Sequence, residues 1–311
     1  MKAWQLIDAH QPLTLQDVDT PTAGPGEVVI EVKAAGLCHT DVSFLDGTLT
    51  HLLGYKPITL GHEIAGVVRS VGEGVSKFTP GQRVAVAAHT DGPGTRFHGG
   101  YAPQVMVQTE LLVPIPDEVP WEQASPATDA GMTALHALKK AGVTEGTRLG
   151  IIGAGGLGSL AIQFALGMGA KVFVAEINEK VRDAVREYGD VQVASSITKY
   201  ADKDLEVIVD YAGFGTTTAE AIDTIGAGGT VVQVGGAPEH ATISTQAMVL
   251  KQLTYLGSLA GTPADVEDVL RMIAAGDVKS KVETIAFEDV GEAMGRLARG
   301  ESTARAVALL D

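Results

Sequence analysis

Arg148-Leu-Gly-Ile-Ile152-Gly153-Ala-Gly155-Gly156-Leu157-Gly158 decides the reading of this chain. Five mostly apolar residues lead into a run of glycines, and the chain then turns helical. A strand, a glycine turn and a helix in that order can cradle a dinucleotide. Gly153 permits the tight turn, Gly155 lets the backbone approach a pyrophosphate, and Gly158 lets the helix pack on the strand. The free N–H groups at the helix start, around Gly156 and Leu157, would then meet the anion. A glycine turn alone is common, so its context matters. Glu176 ends the next apolar stretch. An acid there accepts hydrogen bonds from ribose hydroxyls and repels a 2′-phosphate, which favours NAD(H) over NADP(H). A glycine turn followed by an exposed glutamate is the bland alternative.

Outward from this turn, strands and helices alternate. Strands are expected at 148–152, 171–177, 207–211 and 230–234, and helices at 158–166, 180–188 and 217–225. Alternation of this kind implies a parallel, doubly wound sheet. Upstream, a helix is expected over 121–140. Before it, short strands at 2–7, 28–34, 64–71, 82–87 and 102–107 are broken by Pro-Gly, Gly-Glu-Gly and Asp-Gly turns, as in a small β-barrel or rolled sheet. The tail carries helices at 266–274 and 290–299 and an apolar stretch at 306–310.

The chain has 311 residues, enough for two domains or one large one. Its 45% hydrophobic content can bury a sizeable core. A net charge of −15 argues against nucleic acid and anionic membrane surfaces as partners. The uncharged run 149–170 is long enough to span a bilayer, but its glycines and Gln163 speak for strand plus turn. The single cysteine, Cys38, allows no internal disulfide. The first eight residues show no basic start before a long apolar core, so a cytoplasmic location is expected.

Cys38 and His62 are good zinc ligands by chemistry, and a catalytic zinc needs three protein ligands and an open position. Taken alone, a cysteine is more often a small buried hydrophobe and a histidine an ordinary core or surface residue. The combination of Gly36-Leu-Cys38-His39-Thr40-Asp41, Gly61-His62-Glu63, Gly81-Gln-Arg-Val84, the turn at Gly153 and the ending Gly300-Glu-Ser-Thr-Ala-Arg305 resembles the zinc-dependent medium-chain alcohol dehydrogenase family. The resemblance runs over essentially the whole chain. It implies a GroES-like β-barrel catalytic domain (1–130 and 262–311) around an inserted Rossmann domain (131–261), with the nicotinamide next to zinc in the cleft between them.

That resemblance also implies residue roles. Cys38 and His62 would be zinc ligands. Asp129 would be the third, as in the branch of the family that uses a carboxylate there; the alternative for Asp129 is a helix cap. Glu63 would sit beside the metal, and Asp41 would orient His62. His39 and Arg305 would reach the cofactor pyrophosphate. Thr40 would accept the alcohol proton. The relay often continues to a histidine three residues on, which here is Ser43, a poor base; His51 is a substitute in the following loop. The family's four-cysteine lobe is missing, since Val84 leads through His89 and His98 directly to Gly99-Gly-Tyr101. One catalytic zinc and no structural zinc are therefore expected. The expected activity is reversible hydride transfer between an alcohol and NAD, giving an aldehyde or ketone. The alternatives are a zinc-free quinone or enone reductase of the same superfamily and a non-catalytic NAD-binding regulatory protein. The family's strand pairing between subunits, matched here by 254–259, implies a homodimer or homotetramer.

Overall fold

In the computed structural model, which describes residues 1–236 and 240–311, the strand Arg148–Ile152 is central to a six-stranded parallel sheet. The spatial order is Val191–Ala194, Lys171–Ala175, Arg148–Ile152, Val207–Asp210, Thr230–Gln233 and Thr254–Gly257. All five pairings are parallel. The chain therefore winds outward in both directions from Arg148–Ile152. In this doubly wound order the winding reverses where Ile152 lies beside Asp210, and ligands of such sheets bind beyond the strand ends there. Val207–Asp210 is wholly buried, as a central strand of a covered parallel sheet must be. The uncharged run 149–170 resolves into this strand, the glycine turn and the helix Gly156–Gly167. No helix among the described residues is long and apolar enough to cross a membrane.

The sheet belongs to one of two compact units, Thr133–Ala260. The other unit, Met1–Met132 with Gly261–Asp311, is mostly β. Its main sheet runs Val282–Ala286, Arg305–Leu309, Glu27–Gly36, Glu63–Val71, Arg83–Val86 and Leu112–Pro114, with Gln104–Gln108 also paired to Glu27–Gly36. The short-stranded β unit expected from the sequence is thus present. Three strand ends converge: Gly36 pairs with Glu63 on one side and Val307 on the other. Cys38 and His62, just outside their strands, and Arg305, the first residue of its own, are thus delivered to one place by strand register. Register is fixed because slipping by one residue would turn each buried face outward.

The expected helix over 121–140 is interrupted. It comprises an α-helix, Trp121–Pro126, a π-helical turn, Ala127–Gly131, and a second α-helix, Met132–Lys140. Pro126 brings no N–H to the ladder, and the Met132 N–H reaches back five residues to Ala127 O. The strand expected at 102–107 lies at Gln104–Gln108, and the one expected at 171–177 ends at Ala175. Short elements such as Thr14–Asp17, Val191–Ala194 and the helix His39–Leu45 escaped the sequence reading. Each spans too few residues to establish a period.

Candidate metal centre and dinucleotide turn

Cys38 leaves the strand Glu27–Gly36 and precedes the helix His39–Leu45, whose third residue, Asp41, turns back to accept the Cys38 N–H at 3.1 Å. His62 precedes the strand Glu63–Val71. Asp129 projects from the π-helical turn, which is tied to that strand: Ser125 Oγ donates to Glu63 O at 3.0 Å. Thr128 Oγ1 donates to Ser125 O at 2.7 Å, and Thr128 O accepts the Ala88 N–H at 3.0 Å. A π-turn inside a helix often marks a functional site, because it re-aims one side chain.

One donor atom from each of Cys38, His62 and Asp129 lies within 4.8 Å of the others. Cys38 Sγ is 3.4 Å from Asp129 Oδ2, and His62 Nε2 is 3.5 Å from the same oxygen. Zinc bonds of 2.0–2.3 Å at tetrahedral angles separate donor atoms by about 3.3–3.6 Å. The trio therefore has the spacing and the N, S and O donors that suit zinc.

The surroundings support a cation. Asp41 and Glu63 are fully buried, and Arg305 faces Glu63 Oε1 across 3.6 Å. Glu63, the Cys38 thiol and Asp129 thus share one guanidinium. Both Glu63 oxygens lack a hydrogen-bond partner, and His62 Nδ1 faces Asp41 Oδ1 at 3.4 Å without a well-formed bond. Burial pushes the Glu63 carboxyl up to about 7 against the pull of Arg305. Burial opposes charge on His62 too, but Asp41, Asp129 and Cys38 outweigh it and hold His62 well above its ordinary value. For Asp129 burial is outweighed by His62 and Arg305, which hold its carboxyl at about 2. The groups that favour a proton on His62 favour any positive centre in that position. Gly36 is required beside them, since a Cβ there would lie 2.0 Å from Glu63 Oε2.

The other expected residues fall as follows. Thr40 Oγ1 is 3.6 Å from Cys38 Sγ. Arg305 is half-buried; its Nη1 donates to Leu37 O at 2.9 Å, which binds it into the same strand-end cluster. His39 is exposed on the first turn of its helix. Ser43 Oγ donates to His39 O at 3.2 Å, and His51 is exposed in the short helical turn Thr50–Leu52. Sequence reasoning missed Tyr101, whose hydroxyl donates to Asp41 Oδ2 at 2.7 Å. Burial and the Asp41 carboxylate push that phenol well above its ordinary value, so it remains a donor.

In the parallel-sheet unit, Gly153 adopts φ +83° and donates to Ala175 O at 2.8 Å. A Cβ on Gly158 would lie 1.9 Å from Gly153 O, so helix and turn touch there. A Cβ on Gly155, the N-cap, would meet nothing within 4 Å, and Gly155 and Gly156 are exposed. Leu157 is half-buried behind them. Glu176 accepts the Ala154 N–H at 2.9 Å on one oxygen and the Asn178 N–H at 2.8 Å on the other. A carboxylate has about four acceptor sites, so capacity remains for ribose hydroxyls. Asp210, also missed, is buried at its strand end and accepts from Ala212 and Gly213 N–H and from the Thr217 and Thr218 hydroxyls. It shapes the loop that backs Gly153. An acid ending an apolar strand was the available signal.

A GroES-like β unit with a Cys-His-Asp donor trio, and a doubly wound unit with a glycine turn, define the class of zinc-type dehydrogenases. Residues 24–117 match the alcohol dehydrogenase GroES-like domain family and residues 156–275 the zinc-binding dehydrogenase family. An alcohol dehydrogenase of Geobacillus stearothermophilus is 30% identical over 340 aligned positions, covering 100% of both chains. One from Moraxella sp. (strain TAE123) is 31% identical, covering 99% of this chain and 98% of its own. Among solved structures, acetophenone reductase from Geotrichum candidum in complex with NAD is similar at TM-score 0.90 and 30% identity, covering 99% of this chain and 97% of its own. The chain belongs to the zinc-type medium-chain alcohol dehydrogenase family and is an alcohol oxidoreductase.

Proposed function

We propose that the protein is a zinc- and NAD-dependent alcohol dehydrogenase that interconverts an alcohol with its aldehyde or ketone. The observation that carries this reading is the convergence of Cys38, His62 and Asp129 at donor separations that match a zinc site. The unit Met1–Met132 with Gly261–Asp311 would be the catalytic domain, and Thr133–Ala260 the dinucleotide-binding domain. The similarity to a reductase solved with NAD supports the cofactor, as does the acid Glu176 beside the glycine turn.

Cys38, His62 and Asp129 would hold one zinc, with Asp41 orienting His62 and Glu63 beside it. Zinc would supply Lewis-acid polarisation of the alcohol oxygen, and NAD would accept the hydride. Thr40, next to Cys38, would take the hydroxyl proton. Ser43, a poor base, stands where the relay would continue, and His51 in the following loop would substitute for it. His39 and Arg305 would offer positive charge to the pyrophosphate, and Gly156, Leu157 and Gly158 would offer it N–H groups. Glu176 would hold the adenosine ribose. The protein would work in the cytoplasm as a homodimer or homotetramer.

The test is NADH absorbance with a panel of alcohols and carbonyls, using the zinc-loaded protein and Asp129→Ala. The wild type should turn over at least one pair. Asp129→Ala should lose both zinc and turnover, because a lost ligand should cost more than the roughly 10–100-fold in affinity that an outer partner costs. Undiminished zinc in Asp129→Ala would remove Asp129 from the site.

A further inference from the structure

Tyr101 lies in none of the expected site segments, yet it touches both arms of the metal centre. It is fully buried and among the largest such side chains. The segment before it runs along the residues that lead to His62. Gly99 N–H donates to Thr59 O at 2.8 Å, Gly100 N–H to Gly61 O at 2.7 Å, and Tyr101 N–H to Leu60 O at 3.0 Å. The Tyr101 ring packs on Gly61, where a Cβ would come within 2.6 Å of the ring. Gly61 has φ +92° and immediately precedes His62.

The hydroxyl reaches the other arm. It lies 2.7 Å from Asp41 Oδ2 and 3.1 Å from Gly36 O, at the end of the strand that delivers Cys38. Asp41 Oδ2 also accepts the Cys38 N–H, while Asp41 Oδ1 faces His62 Nδ1. Asp41 is fully buried, so its orientation depends on these few partners, and the phenol makes the shortest contact among them.

We infer that Tyr101 is a positioning residue for the metal centre: its hydroxyl fixes the Asp41 carboxylate, which in turn sets His62 and the Cys38 loop. The inference rests on the zinc reading above. It concerns an outer layer of partners, a kind of contact that tunes metal affinity without touching the ion.

The test measures zinc affinity by chelator competition on wild type, Tyr101→Phe, Asp41→Asn and the double variant, with the metal-free thermal midpoint of each. Wild-type protein that binds no zinc would defeat the zinc reading itself. With zinc bound, Tyr101→Phe should weaken affinity about tenfold, the lower end for outer partners. In the Asp41→Asn background the same change should cost little more, since Tyr101 acts through Asp41. Phe keeps the ring on Gly61, so the metal-free midpoint should fall by only about 2–4 °C. Affinity within twofold of wild type would overturn the inference. So would an equal loss in the Asp41→Asn background, or a Tyr101→Phe chain that does not fold, which would make the residue simply structural.

Discussion

Thr40 and Ser43 are two hydroxyls about one helical turn apart in different surroundings. Thr40 Oγ1 lies 3.6 Å from Cys38 Sγ, whereas Ser43 Oγ is bonded to the backbone of its own helix at His39 O. Only the first is beside the metal donors. With Thr40 as proton acceptor, Thr40→Ala should lower turnover about 100-fold or more while NADH affinity, read by fluorescence titration, stays the same. Unchanged turnover would remove Thr40 from the reaction. The three donors were not equally legible. Cys38 and His62 carry ligand chemistry in their residue types. Asp129 was legible only through family resemblance, because nothing in Ala127-Thr-Asp-Ala-Gly131 announces a π-turn. Tyr101 was not legible at all: its partner is Asp41, 60 residues away on a short helix, and only the folded chain brings them together.

At the scale of elements, the strand–turn–helix around Gly153 separates packing from binding. Gly158 touches the turn, and Gly155 opens on solvent. Gly158→Ala should therefore destabilise the protein by about 1–3 kcal/mol, read as a lower thermal midpoint. Gly155→Ala should leave stability within about 0.5 kcal/mol but, on the proposed cofactor role of this turn, weaken NADH binding, because its methyl would enter the space that role gives the pyrophosphate. Equal effects of the two on stability would contradict that division. This element was read well from sequence because geometry fixes two of its glycines: Gly153 has φ +83°, and Gly158 has no room for a Cβ. The helix over 121–140 was read less well. Its Ala and Leu content predicts helix correctly, but the change of ladder after Pro126 depends on contacts with other elements, such as Gly131 against Val269.

At the scale of the molecule, the doubly wound sheet ends in Thr254–Gly257, which among the described residues pairs on one side only, with Thr230–Gln233. Val249, Leu250, Tyr255 and Leu259 expose apolar surface around it. An open, apolar edge strand invites pairing with another chain. Light scattering should give a dimer or tetramer; a monomer would count against subunit pairing at this edge. The aligned length of 340 positions against 311 residues shows that this chain carries deletions relative to its Geobacillus stearothermophilus relative. Between Val84 and Gly99 the sequence holds no cysteine, and among the described residues a single Cys-His-Asp group is placed for metal. Zinc per subunit, by elemental analysis of protein purified without added metal, tests the account most directly. It predicts about one equivalent, held by Cys38, His62 and Asp129. Protein that contains none and takes up none on reconstitution would contradict it.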